Sequence, residues 1–105
     1  MLIKVASSYD VKEKTPFVVQ INDRRLCIIR SDGLLYCIED HCPHQQLSLK
    51  DASVEGSHLM CQYHGVEIEM GGCTIINTMG FTNLSTVKKH PVLEEKGFIY
   101  VDLPE

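Results

Sequence analysis

No apolar run in this chain approaches the roughly 18 residues that a membrane span needs. An excess of basic charge is also missing: ten Lys and Arg stand against fourteen Asp and Glu, a formal net charge of −4. That balance argues against nucleic acid or an anionic membrane surface as the main partner. The opening Met-Leu-Ile-Lys-Val-Ala turns polar at Ser7, too soon for the apolar core of a signal peptide. A soluble, cytoplasmic protein is therefore expected. There is no internal repeat, low-complexity tract or linker, and no segment of ten residues keeps a 3.6-residue apolar period. Long helices are excluded. A nucleophile elbow, a phosphate loop and a nucleotide fingerprint are absent too, so nothing points to catalysis by the chain alone.

What is present fits one small domain. The 105 residues are 44% hydrophobic and 23% charged, an ordinary globular balance that excludes a disordered chain. Phe17–Ile21 and Leu26–Arg30 are β-branched and apolar and read as a hairpin across Asn22-Asp23-Arg24-Arg25. Asp32-Gly33, a favoured pair for a tight primed turn, leads into Leu34–Glu39. Glu95-Lys96-Gly97 turns the chain between Pro91-Val92-Leu93 and Phe98–Val101, and Leu2–Ala6 adds a strand at the start. One short helix is expected from Ser8 to Lys14, capped by Ser8 or Asp10 and closed by Pro16. The fold class is all-β: a small antiparallel β-sandwich or open barrel. Between about 41 and 80 the chain is rich in Gly, His, Cys, Ser and Met, with short strands at 58–62 and 66–70. We read that stretch as an inserted subdomain on a framework of 1–40 and 81–105, a single domain spanning 1–105.

Five cysteines and five histidines are the unusual feature. An odd count cannot pair completely, and in a reducing compartment clustered cysteines bind metal or react more often than they crosslink. Cys42-Pro43-His44 is answered by Cys61-Gln62-Tyr63-His64, so each of two loops offers a thiolate and an imidazole. A structural zinc uses such donors; so does a Rieske [2Fe–2S] centre, with two Cys on one iron and two His on the other. The spacing favours iron. Zinc fingers usually pair like ligands within a loop, whereas one Cys and one His per loop let both loops reach across a two-iron rhomb.

These residues resemble the Rieske family, and the likeness extends beyond the quartet. Tyr36-Cys37-Ile38-Glu39-Asp40-His41 is similar to the strand entering the first cluster loop. Ser48-Leu49-Lys50-Asp51-Ala52 resembles the S-L-x-D-G that often follows it, with Ala52 in place of Gly. Glu55-Gly56, Gly65, His90-Pro91-Val92 and Gly97-Phe98-Ile99-Tyr100-Val101 fall where the family commonly has them. Over roughly 16–103 the chain looks most like the small soluble Rieske ferredoxins of aromatic-ring-hydroxylating dioxygenases. The resemblance implies one cluster per chain held by Cys42, His44, Cys61 and His64. It implies an electron carrier, not an enzyme: single electrons pass from a flavin-dependent NAD(P)H ferredoxin reductase to a terminal oxygenase docked over the His-ligated iron. Respiratory Rieske proteins join their loops by a disulfide, but Leu47 and Tyr63 hold those positions here. Their Ser and Tyr donors to sulfur are matched by Val66 and Ile68, which lack side-chain donors. The potential is thus expected near the low end of the Rieske range, about −150 mV. The alternatives are a Rieske-like small subunit of a larger reductase, such as cytoplasmic nitrite reductase, and a zinc-stapled interaction module.

The remaining candidates have plainer readings. Cys27 and Cys37 are read as buried hydrophobes within strands, and Cys73 as a spectator beside the cluster region rather than a replacement ligand or redox-sensitive thiol. His41 is read as a solvated loop residue, and His58 and His90 as surface or strand positions. Met60, Met70 and Met79 are expected to exclude water, while Glu55, Glu67 and Glu69 are either a solvated face or a steering patch. Residues 71–86 lack the proline usual in the third loop of this family and are expected to form a distinctive cover.

Overall fold

Tight turns set the architecture, two of them at the predicted pairs. The first turn is shorter than expected, because Arg24 and Arg25 pair within the hairpin's second strand instead of turning the chain. The protein, described by a computed structural model over residues 1–43, 47–62 and 65–104, holds β2 (Phe17–Ile21) against β3 (Arg24–Ser31), with Ile21 opposite Arg24 across Asn22-Asp23. Asp32 and Gly33, at φ +52° and +80°, then turn β3 into β4 (Leu34–Glu39). Both angles lie in the left-handed region that a type I′ turn requires and that Gly occupies without cost. Lys96-Gly97 makes the same turn between β10 (Val92–Glu95) and β11 (Phe98–Asp102).

Among the described residues the strands form three antiparallel sheets. β1 (Leu2–Ser7), β11 and β10 form the first, and β2, β3, β4 and β9 (Lys89–His90) the second. The third runs in chain order: β5 (Ser53–Glu55), β6 (His58–Met60), β7 (Glu67–Glu69) and β8 (Thr74–Asn77). Strand β3 is the shared wall. Leu26 and Ile28 pack with Val11, Ile99 and Val101 of the framework, whereas Cys27 and Ile29 join Ile38, Leu59, Val66 and Ile68 toward the third sheet. Burial on both faces explains why Leu26-Cys27-Ile28-Ile29 is continuously apolar instead of alternating. Each wholly buried aliphatic side chain contributes about 1.5–3 kcal/mol.

The expected helix at 8–14 is reduced to a 3₁₀ turn, Ser8–Asp10. Its cap is Ser7, whose Oγ accepts from Tyr9 N at 3.3 Å while Asp10 Oδ2 accepts from Ser7 N at 2.9 Å. Tertiary pairing outcompetes helix propagation beyond Asp10. Val11 is extended and buried, Arg30 Nε donates to its carbonyl at 3.0 Å, and Lys14 N donates to Arg30 O at 2.7 Å. The strands expected at 58–62 and 66–70 are shorter, because Cys61 N donates to Val66 O and closes a loop between them.

Arg30 also forms a bidentate pair with Glu94 of β10, at 2.7 and 3.0 Å, which ties the second sheet to the first. The hydrogen bonds from Arg30 hold the Glu94 carboxyl at about 2, against an ordinary 4.5. A depressed folded-state value contributes stability that is present above pH 4.5 and lost as pH falls through about 2. Glu94→Gln is therefore expected to lower the urea midpoint near neutrality, and its deficit against the native chain should shrink across that acid window. Equal midpoints at neutral pH would contradict the assignment.

Candidate metal centre

Cys42 and Cys61 reach the same place from different loops. Both are buried, and both belong to one apolar cluster with Leu49, Leu59, Val66, Ile68, Met70 and Val87. Cys42 lies three residues beyond the end of β4. Its N–H donates to Leu47 O at 3.0 Å, while His41 N donates to Glu39 O at 2.9 Å. Cys61 follows β6, and its loop closes by Cys61 N to Val66 O at 2.9 Å and Gly65 N to Cys61 O at 3.0 Å. His44 and His64, the other two predicted ligands, lie outside the described residues.

A third segment covers both loops. Ser85 N donates to Pro43 O at 2.8 Å. A β-carbon at Gly65, whose φ is +72°, would stand 3.5 Å from Cε and Cγ of Met79. The cover at 71–86 thus exists, but it also contains β8, which pairs with β7 and was not foreseen. Glu69 fixes the intervening turn by accepting from Gly72 N at 2.8 Å, and that bond lowers its carboxyl below the usual range.

The donor chemistry fits an iron–sulfur group. Among the described residues no disulfide joins the cysteines. A thiolate in an apolar wall is costly unless a metal takes its charge, and two cysteines are the sulfur half of a Rieske donor set. Among the described residues, no set of three or more His, Cys, Asp and Glu is placed to hold a metal ion.

The other candidates are engaged locally. Cys27 and Cys37 are buried in β3 and β4, where burial pushes their thiols up, that of Cys37 to about 12. Cys73 sits in the β7–β8 turn, half-buried, with Sγ 4.0 Å from Met70 O. His58 Nδ1 lies 2.9 Å from Glu67 Oε2 on the exposed face of the third sheet, which also carries Glu55 and Glu69. His90 is a strand residue but not a surface one: its ring is buried, with Nε2 3.1 Å from Glu39 Oε2, which also accepts from Arg24. His41 is partly buried, its Nδ1 3.4 Å from Cys42 O. Met70 is buried, whereas Met60 and Met79 are exposed.

The first loop is also anchored by a buried carboxylate that spacing alone does not announce. The Asp40 side chain, two residues before Cys42, has no solvent exposure and pairs with Arg25 Nε at 2.8 Å. It also accepts from Ser48 Oγ and Leu49 N, each at 2.7 Å. A D-x-C start with a Ser at the far end of the loop was the available signal.

Comparison with known proteins gives this geometry a family. The family model for the Rieske [2Fe-2S] domain matches residues 1–91. The chain belongs to the Rieske [2Fe-2S] domain family, and membership implies a Rieske-type cluster. Among curated proteins it is 39% identical over 75 residues to the 4beta-methylsterol monooxygenase of Methylococcus capsulatus, which covers 66% of this chain and 20% of that one. The chain spans 18–30% of the length of the curated relatives it matches. Among solved structures, the Sphingomonas yanoikuyae B1 ferredoxin superposes with TM-score 0.85 over 99% of this chain and 100% of its own, at 22% identity, a likeness of fold. The reduced complex between oxygenase and ferredoxin in carbazole 1,9a-dioxygenase contains a chain matched with TM-score 0.79 and 25% identity, over 95% of this chain and 27% of that one. No described helix is long and apolar enough to cross a membrane.

Proposed function

We propose that Cys42 and Cys61 bind one iron and His44 and His64 the other. On this reading the chain, one domain with its cluster-binding part at about 41–80, carries single electrons in the cytoplasm from a flavin-dependent reductase to a terminal oxygenase. The observation that carries it is that Cys42 and Cys61, on two separate loops, are both buried in one apolar cluster, where Cys27 lies instead within a paired strand. When bound, the group supplies a one-electron site whose irons have no open position for a reactant. The chain's own residues keep water from the sulfurs: Leu49, Leu59 and Met70 are buried in the same apolar cluster as the two cysteines. An oxygenase partner is supported by relatives that include a monooxygenase and two oxygenase components, and by the oxygenase–ferredoxin complex. Their greater length favours a second reading, in which this domain serves as the Rieske portion of a larger oxygenase; copurification with a catalytic subunit would select it.

Val66 and Ile68 are wholly buried beside the second loop and offer no side-chain hydrogen bond to sulfur. Without such donors the added electron is less stabilised, so the midpoint belongs toward about −150 mV and away from about +300 mV. Val66→Ser is expected to raise the midpoint in a redox titration. A native midpoint near the high limit, or no shift in the variant, would remove this account of the potential.

A further inference from the structure

We propose that Asp40, paired with Arg25, is the positioning residue of the first ligand loop: it holds the loop ready for metal and sets the charge beside Cys42. The inference rests on the reading of Cys42 as a ligand.

The contacts of Asp40 straddle the loop. Its Oδ1 accepts from Leu49 N, and its Oδ2 from Ser48 Oγ and from Arg25 Nε. Its backbone pairs with Arg25 as well: Asp40 N donates to Arg25 O at 2.9 Å, and an Arg25 terminal nitrogen donates to Asp40 O at 3.1 Å. One carboxylate therefore joins the residue entering the loop, two residues leaving it, and the neighbouring strand β3. Within that closure Cys42 N meets Leu47 O. A loop held this way has its ordering cost met during folding rather than at metal capture.

A fully buried carboxylate is a costly device if stability is the only return. Buried ion pairs are often matched by apolar residues of similar volume. What an apolar pair cannot do is accept from a backbone N–H, a hydroxyl and a guanidinium at once, or place a compensated charge two residues from a sulfur ligand. Arg25 is half-exposed, whereas Asp40 has no exposure. The compensating charge can therefore be removed at the surface without opening a cavity.

This asymmetry supplies the test. Asp40→Asn removes the negative charge and leaves Arg25; Arg25→Gln does the reverse. Both variants and the native chain are refolded anaerobically with iron and sulfide, and their loading rate and midpoint potential are measured. The expected result is loading slowed about tenfold in Asp40→Asn, in line with supporting contacts at other metal sites. The midpoints should move in opposite directions, upward in Asp40→Asn and downward in Arg25→Gln. A merely structural pair would lower the melting temperature in both and leave the potential unmoved. If Asp40→Asn fails to fold, Arg25→Gln alone decides: an unshifted midpoint overturns the proposal. Cys42→Ala separates the two ideas. If it keeps the cluster signal, the ligand reading has failed; if it loses the signal while both charge variants match the native chain, only the role given to Asp40 and Arg25 has failed.

Discussion

Cys42→Ala and Cys61→Ala are each expected to take the purified chain from two irons to essentially none, with loss of the reduced-state EPR signal. The size of the effect follows from the donor count. Two thiolates share one iron in a Rieske centre, so removing either leaves a single sulfur ligand on that iron. Cys27 and Cys37 cannot substitute, because their thiols are buried within paired strands and pushed well above the ordinary range. Cys27→Ala and Cys37→Ala are the matched controls: each deletes a buried sulfur and should leave iron content unchanged. Retention of the signal in either ligand variant, or its loss in both controls, would contradict the assignment. Alanine at the ligand positions fits without a clash, so the apo forms should keep the β circular-dichroism spectrum of the native chain.

Leu59→Ala is expected to destabilise the protein by about 2–5 kcal/mol, the range for deleting a large aliphatic side chain from a packed core. Leu59 has no solvent exposure, sits on an inner strand of the third sheet, and packs in the cluster that contains Cys42 and Cys61. Against a total of about 5–15 kcal/mol for a domain, such a loss is a large fraction. It corresponds to a fall of about 10 °C or more in melting temperature at this chain length. Met60→Ala, one residue on and 43% exposed, should cost within about 0.5 kcal/mol. Thermal melts of the two variants check this directly, and similar melting temperatures would mean that the third sheet does not share the core described here.

The sequence was most legible where local chemistry and tertiary structure agree. Asp32-Gly33 and Lys96-Gly97 demand positive φ, and both hairpins form at those pairs with β4 running over the expected residues. Cys27 and Cys37 fell within apolar strands and are buried there. Legibility failed where distant partners decide. Ser8 to Lys14 has helical composition, but the buried side chain of Val11 and the pairing of Glu13 and Lys14 with Arg30 draw the chain out after one turn. Strand β8 has only four residues, three of them exposed or polar, and gains its order from the register with β7. Asp40 was passed over because charged side chains are normally exposed. Its burial depends on Arg25, Ser48 and Leu49 converging on it, which spacing alone does not announce.

The central claim is that the two loops hold a Rieske cluster. Its most direct test is metal analysis of the anaerobically purified chain, followed by EPR after dithionite reduction. The account predicts two irons per chain and a Rieske-type signal. One zinc per chain and no signal would make the same loops a structural staple, and the electron-carrier reading would be wrong.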